Sequence, residues 1–114
     1  MPYINTVTTK NIPENKMELI KKELGEIISL FPGKSEQWLM LSFEPGTKMY
    51  FRGDDSADSA FVEVKVFGKA SPDACDKVTA AICALYEREL GIPSDRTYVR
   101  YEESSLWGWN GSNF

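Results

Sequence analysis

The sequence predicts an α/β fold: a two-layer sandwich of two pseudo-repeated βαβ units, with two helices on one face of a mainly four-stranded sheet. Strand-like and helix-like apolar patterns follow one another as strand, helix, strand, and this order occurs twice in 114 residues. Because crossovers between parallel strands are right-handed, both helices should cover the same face of the sheet. The length predicts a single domain spanning residues 1–114.

The first βαβ unit begins with a strand over Pro2–Thr9, which is rich in β-branched and aromatic residues. Apolar residues at spacings of three and four then predict a helix over Pro13–Phe31, ended by Pro32-Gly33. The nearly unbroken apolar run Trp38–Phe43 predicts a strand covered on both faces. A further short strand is expected over Lys48–Phe51.

The second unit has the clearer local signals. Strict alternation of valines with other residues predicts a strand over Ala60–Phe67. A helix over Pro72–Leu90 follows, with Ser71 as its N-cap and Gly91 as its C-cap. Thr97–Glu102 completes the unit as its second strand.

The second face of the sheet is also expected to be covered, because the valine strand and the run Trp38–Phe43 are too apolar for water. No residues remain in the chain to cover it, so neighbouring subunits are the candidates. Three aromatic residues in the last eight positions would brace such an interface, namely Trp107, Trp109 and Phe114.

Composition excludes several classes of function. A net charge of −4 argues against nucleic-acid or anionic-membrane binding, since both need a basic surface. No apolar run is long enough for membrane insertion, and no signal-peptide pattern precedes the first strand, which predicts a cytoplasmic protein. The absence of histidine removes Ser-His-Asp catalysis and His-ligated zinc. No phosphate-loop or dinucleotide-binding motif occurs either, so neither a metal nor a cofactor is expected.

The two cysteines and the acidic loop favour structural roles. Cys75 and Cys83 lie on one predicted helix about 12 Å apart along its axis, too far for a disulfide. We therefore interpret them as reduced thiols that fill the core. The loop containing Asp54, Asp55 and Asp58 lacks the spacing of a calcium loop and is expected to be solvated.

Met1-Pro2 provides a candidate for proton chemistry. Without histidine, the group that titrates closest to neutrality is the α-amino group, with an ordinary pKa of about 7.7–8.0. Removal of the initiator methionine would leave Pro2 as a secondary amine at the start of a strand. Burial among apolar side chains would lower the pKa of that amine, and a neutral amine at pH 7 can act as a general base.

Five segments carry a resemblance that covers the whole chain. The sequence resembles the macrophage migration inhibitory factor family of the tautomerase superfamily, including its D-dopachrome tautomerase branch. The Asp-Arg-x-Tyr stretch together with the Gly-Trp-Asn ending is the most specific part. The matching segments, in order, are Met1–Ile4, Pro32–Lys34, Phe67–Lys69, Pro93–Val99 and Gly108–Phe114.

The resemblance implies a homotrimer in which each active site lies between adjacent subunits. Pro2 corresponds to the catalytic base, and Lys34 to the lysine that binds the substrate carboxylate. Lys34 would otherwise be interpreted as a solvated loop residue. Phe67 stands where relatives have an aliphatic residue that contributes its backbone N–H and lines the pocket, so its larger ring changes the pocket volume.

The remaining site residues follow from the same resemblance. Tyr98 matches a tyrosine contributed across the interface, and Arg100 matches the arginine of the D-dopachrome tautomerase branch. A second cation at that position favours an acidic substrate. Interface packing is the alternative role for the aromatic residues near the C-terminus. The pocket rim is assigned to Tyr3, Trp107, Trp109 and Phe114.

The resemblance therefore implies a cofactor-independent keto–enol tautomerase of the phenylpyruvate or dopachrome type, acting on a small α-keto acid or its enol. The alternative is a cytokine-like protein that binds a cell-surface receptor, since such proteins also leave cells without a signal sequence. A trimeric interaction module with neither role is a third hypothesis. The thiol-redox CxxC motif of the family is missing, because Ser59 and Val62 stand in its place.

Overall fold

The computed structural model describes residues 1–114. Short 3₁₀ turns at Ile28–Leu30, Glu36–Trp38 and Ser94–Arg96 connect the longer elements. Those longer elements are, in chain order, strand β1 (Pro2–Thr8), helix α1 (Glu14–Ile27), strands β2 (Met40–Glu44) and β3 (Ala60–Phe67), helix α2 (Pro72–Leu90), and strands β4 (Thr97–Ser104), β5 (Gly108–Trp109) and β6 (Ser112–Asn113).

The main sheet has the strand order β2-β1-β3-β4. β1 pairs in parallel with β2, and β3 pairs in parallel with β4, while the two central strands β1 and β3 run antiparallel. Each parallel pair is joined by one helix, as a βαβ unit requires. The predicted fold class, with two such units forming a mainly four-stranded sheet, is confirmed.

The core lies between the sheet and the two helices. Alternate residues of β3 are buried, and its three valines have no exposed surface. Complete burial of each apolar side chain contributes about 1.5–3 kcal/mol relative to exposure. The helices contribute the other side of this layer, chiefly through Ile20, Leu24, Val78, Ile82 and Leu85.

Helix α2 begins and ends where the sequence predicts. The Ser71 hydroxyl accepts a hydrogen bond from the Ala74 N–H at 3.1 Å, and Gly91 has a φ of 67°, a left-handed conformation that glycine adopts without strain. Helix α1 ends at Ile27, four residues before the predicted end. The apolar spacing continues through the 3₁₀ turn Ile28–Leu30, so periodicity alone does not mark the boundary.

Two predictions about the segment after α1 are wrong. The strand predicted over Trp38–Phe43 begins only at Met40, because Glu36–Trp38 form a 3₁₀ turn. β2 is an edge strand and Met40 is 68% exposed, so the chain does not cover both of its faces. Lys48–Phe51 forms no strand, because the only β-bridge of this segment joins Phe51 to Asp54 across a tight turn.

The face of the sheet opposite the helices is more polar than expected. The valines of β3 all point toward the helices, so they give no reason to cover the other face. The middle of that face carries Glu63 and Lys65 of β3 beside Arg100 and Glu102 of β4. Aromatic side chains are confined to its two ends. No helix of the structure is long and apolar enough to cross a membrane.

Candidate active site

An open hollow of about 360 Å³ lies at the end of the sheet where β1 begins. It brings together Pro2 and three of the four residues predicted for the pocket rim. Lining the hollow are Met1, Pro2, Tyr3, Gln37, Trp38, Leu39, Met40, Trp107, Gly108 and Trp109.

Pro2 is buried as the first residue of β1 and lies opposite Val66 of β3. The carbonyl of Met1 continues this pairing by accepting a hydrogen bond from the Phe67 N–H at 3.0 Å. Burial lowers the pKa of the Met1 α-amino group, and the positive charge of Lys34 lowers it further. The start of β1 is therefore an environment that disfavours a charged amine.

Lys34 reaches this environment from the turn that follows α1. Gly33 has a φ of 79°, which the turn requires, and the Lys34 N–H donates to the Phe31 carbonyl at 3.1 Å. The Lys34 Nζ atom donates to the Phe67 carbonyl at 3.0 Å. No carboxylate of the chain forms a salt bridge with Lys34, so its charge is free to bind an anion.

Two aromatic pairs form the wall around these groups. The rings of Phe67 and Phe114 lie 4.8 Å apart, and those of Trp38 and Trp109 meet edge to face at 5.1 Å. Phe114 and Trp109 belong to the hairpin formed by β5 and β6, whose turn has positive φ at Asn110 and Gly111. The C-terminal hairpin thus contributes one ring to each pair.

Trp38 is a site residue that sequence reasoning missed. The apolar run that begins at Trp38 predicts the start of a buried strand. In the structure Trp38 lies in the Glu36–Trp38 turn, is 42% exposed and faces the hollow. The only sequence signal for this placement is the run of polar residues before it, Lys34–Gln37, which is unusual inside a strand.

Tyr98 and Arg100 lie elsewhere on the molecule. Tyr98 pairs with Phe61, six residues along β3 from Phe67, which corresponds to about 20 Å at 3.3 Å per residue. Its ring contacts Phe51 and Phe61, with centroid distances of 5.6 and 6.2 Å. The Arg100 guanidinium lies 3.8 Å from the Glu102 carboxylate. A single chain therefore does not bring these two side chains to Pro2.

Comparison with known proteins agrees with this geometry. The family model described as "Macrophage migration inhibitory factor (MIF)" matches residues 1–114. The chain belongs to the macrophage migration inhibitory factor family. The resemblance found in the sequence is therefore confirmed, and membership supports a function of the tautomerase or cytokine-like kind.

Individual relatives share modest sequence identity over nearly the whole chain. The macrophage migration inhibitory factor of Xenopus laevis is 26% identical over 110 residues, covering 95% of this chain and 91% of the relative. Among solved structures, Leishmania major MIF2 is 32% identical with a TM-score of 0.91, covering 100% of this chain and 97% of the other. The homologue from Prochlorococcus marinus is also 32% identical, with a TM-score of 0.81 and 98% coverage of both chains.

Proposed function

We propose that this protein is a cofactor-independent keto–enol tautomerase acting on α-keto acids of the phenylpyruvate kind, with Pro2 as the general base. One observation carries the proposal. Burial and the unpaired Lys34 ammonium lower the pKa of the Met1 α-amino group, and Met1 and Pro2 both line a hollow with aromatic walls. These features match an anionic substrate with an aromatic ring.

Removal of Met1 prepares the site in two ways. It leaves Pro2 as a secondary amine in the environment that lowers the pKa of the Met1 amine. It also frees the Phe67 N–H, because the present acceptor of that N–H is the Met1 carbonyl. A buried donor without a partner is costly, so the freed N–H would favour a substrate oxygen beside the base.

The proposed reaction moves one proton within the substrate. The neutral Pro2 nitrogen takes a proton from the carbon next to the keto group, and the C–H electron pair becomes the enol double bond. The carbonyl oxygen then receives a proton from the Pro2 ammonium, which restores the base. Lys34 holds the carboxylate of the substrate, and the Phe67 N–H helps to orient it.

Tyr98 and Arg100 enter the site from a neighbouring subunit of a homotrimer in this proposal. Tyr98 places the carbonyl oxygen, and Arg100 adds a second positive charge. Two facts support this assignment: Tyr98 is 60% exposed, and it lies too far from Pro2 to act within its own chain.

Substitution of Pro2 tests the proposed base. We expect Pro2→Gly to lower phenylpyruvate enolisation by about 10²–10⁴-fold, the usual contribution of a general base. Pro45→Gly, at an exposed turn far from the hollow, is the matched control and should retain full turnover. Intact-mass spectrometry of both proteins establishes whether Met1 has been removed. Unchanged turnover of Pro2→Gly, or an active wild type that retains Met1, would contradict the proposal.

A cytokine-like role is the second candidate, in which the protein is released from the cytoplasm without a signal peptide and binds a cell-surface receptor. The favouring observation is the exposed apolar surface around the hollow, where Met40 and Leu106 are 68% and 81% exposed. Labelled wild type and Pro2→Gly protein can be compared for saturable binding to cells. Equal binding by both would support this role, and no saturable binding would reject it.

A further inference from the structure

The orientation of the Tyr98 ring is fixed by aromatic contacts alone. Its hydroxyl forms no hydrogen bond within the chain, and the residue is 60% exposed. The ring meets Phe51 at 5.6 Å and Phe61 at 6.2 Å, both edge to face. An exposed tyrosine has several rotamers available, so these two rings restrict which one is populated.

Phe51 reaches Tyr98 from a tight turn with an unusual backbone. The Phe51 N–H and the Asp54 carbonyl are hydrogen bonded at 2.9 Å, and the reverse bond is 3.0 Å long. Between them, Arg52 and Gly53 have φ values of 54° and 74°, as in a type I′ turn. A positive φ at a residue other than glycine costs about 1–3 kcal/mol and persists only where the surroundings enforce it.

Arg96 holds the turn in this conformation. Its Nε atom donates to the Asp58 carbonyl and the Ser59 hydroxyl, both at 3.1 Å. Its Nη2 atom donates to the Asp54 carbonyl at 2.8 Å, and Nη1 donates to the Asp54 carboxylate at 3.2 Å. The guanidinium carbon lies 5.5 Å from the centre of the Phe51 ring. One side chain, only 12% exposed, thus ties the turn to the start of β4.

We propose that Arg96 and Phe51 are positioning residues that hold the Tyr98 ring in the orientation with which it enters the neighbouring subunit's site. This inference rests on the proposed function, which places Tyr98 in that site. The contacts run from Arg96 through the Phe51 ring to Tyr98, and a single residue, Thr97, separates Arg96 from Tyr98 in the sequence. Arg96 therefore acts on the reaction through Tyr98 without touching the substrate.

Phe51 can be changed without disturbing the core. It belongs neither to the buried core cluster nor to the partly buried residues packed against it. Its ring contacts are with Tyr98 and with the guanidinium groups of Arg52 and Arg96. Phe51→Leu removes the edge that Tyr98 meets but opens no core cavity, whereas Phe51→Tyr keeps the ring.

The decisive experiment is a double-mutant cycle on kcat/KM for phenylpyruvate enolisation by the mature protein. We expect Phe51→Leu to lower kcat/KM about fivefold to tenfold, because Tyr98 would be partly misplaced and a full 1 Å misplacement can cost about 10²-fold. In a Tyr98→Ala background the same change should have no further effect, since nothing remains to be positioned. Phe51→Tyr should restore most of the activity. Arg96→Lys, which cannot make the forked contacts, should resemble Phe51→Leu.

A spectroscopic measurement tests the same contact without relying on turnover. In protein labelled with ¹³C-tyrosine, the Tyr98 ring signals should move in Phe51→Leu and Arg96→Lys. They should not move in Arg88→Ala, a matched control in which the arginine bridges Glu23 and Glu89 on the helix surface. Unmoved signals in Phe51→Leu would overturn the inference whether or not the protein is an enzyme.

The outcomes separate the inference from the proposed function. An equal loss of kcat/KM from Phe51→Leu with and without Tyr98 would indicate a general structural effect and would overturn the inference. If Phe51→Leu kept full activity while Tyr98→Ala was impaired, the inference would be overturned but the proposed function would stand. Full activity of Tyr98→Ala would refute its proposed role, and the inference would fail with it.

Discussion

Lys34 is the residue whose charge most directly affects the proposed base. Its ammonium lowers the pKa of the Met1 α-amino group, after the larger effect of burial, and the Pro2 amine of the proposed mature protein lies one residue further along the chain. Lys34→Gln removes this charge while keeping most of the side chain. The pKa of the amine should then rise, although burial will still hold it below its ordinary value.

The consequence appears in the pH dependence of catalysis. The active form of the base is neutral, so kcat/KM falls as pH drops below the pKa of the amine. We expect Lys34→Gln to shift this acidic limb to higher pH and to lower the plateau about 10–100-fold through loss of the carboxylate contact. Lys77→Gln, at an exposed position on α2, is the control. An acidic limb that stays in place would show that Lys34 does not act on the base.

Tyr86 permits a residue-level test of core stability. Its hydroxyl is fully buried and shares a hydrogen bond of 2.5 Å with the Thr6 hydroxyl. Tyr86→Phe leaves the Thr6 hydroxyl without this partner, so the free energy of unfolding should fall by about 1–3 kcal/mol. The double variant Thr6→Val, Tyr86→Phe leaves no hydroxyl without a partner, so it should recover much of the lost free energy of unfolding. Urea unfolding of Tyr86→Phe, Thr6→Val and the double variant measures this, and additive losses would contradict the pairing.

The buried Tyr86 hydroxyl should also lower the free energy of unfolding at alkaline pH. Burial raises the pKa of Tyr86 to about 12, above the ordinary value of 10.0 that applies in the unfolded chain. This contribution to stability is therefore complete below pH 10 and is lost as pH rises toward 12. Tyr101, whose pKa burial also raises to about 12, adds a second contribution. In Tyr86→Phe, the free energy of unfolding should fall less steeply at alkaline pH, because only the contribution of Tyr101 remains. A decline as steep as that of the wild type would contradict this.

Helix α1 contains a buried glycine whose absence of a side chain affects the site. A Cβ atom built on Gly25 would lie 1.9 Å from the Oε2 atom of Glu36. The turn that carries Trp38 therefore lies directly against the helix at this point. Gly25→Ala gains helix propensity of about 1 kcal/mol but must displace the Glu36 carboxyl group.

A comparison of two backgrounds separates these effects. We expect Gly25→Ala to stabilise the protein less than the same change made together with Glu36→Ala, where nothing is displaced. Because Glu36 and Trp38 share one turn, Gly25→Ala should also change the tryptophan fluorescence of the folded state. Thermal unfolding and emission spectra measure both quantities. Equal stabilisation in the two backgrounds would show that Gly25 is not needed for this contact.

The sequence predicted those elements whose signals are local. β3 and α2 have the expected ends, because strict alternation defines the first and a serine cap with a C-terminal glycine defines the second. The turn bearing Trp38 depends on Glu36 resting on Gly25, eleven residues earlier, which no local pattern records. The turn Phe51–Asp54, where a strand was expected to end, is likewise held by Arg96, 42 residues after Asp54.

The site, too, has a part that the sequence predicts and a part that depends on how distant segments pair. Pro2, Lys34 and Phe67 come together through the pairing of β1 with β3 and the turn after α1, as family resemblance implied. The resemblance implies that Tyr98 is contributed across a subunit interface, and the structure places both Tyr98 and Arg100 away from Pro2 of their own chain. Their distance from Pro2 along the sheet is a consequence of register, which becomes known only when the strands are paired.

The whole molecule presents two apolar regions at opposite ends of the sheet. One end carries Phe51, Phe61 and Tyr98, and the other carries the aromatic hollow beside Pro2. Different surfaces that meet head to tail generate a closed ring when the rotation permits. The family resemblance implies that this ring is a homotrimer, so light scattering coupled to size exclusion should give three times the chain mass. A stable monomer would contradict a site divided between subunits.

A divided site also predicts that two impaired variants restore each other. Pro2→Gly lacks the base and Tyr98→Ala lacks the tyrosine, so neither homotrimer contains an intact site. In a ring assembled at random from equal amounts, about one quarter of the sites combine Pro2 from one subunit with Tyr98 from its neighbour. Unfolding the two variants together and refolding them should therefore recover about a quarter of wild-type turnover.

The control is the same pair refolded separately and then mixed, which should stay impaired until subunits exchange. Recovery requires that Pro2 and Tyr98 act across an interface, because no chain in the mixture contains both residues. If Tyr98 instead reached Pro2 within its own chain, co-refolding would give no more activity than the separate samples. The distance of about 20 Å along β3 makes that alternative inconsistent with the fold, so recovery is the expected result.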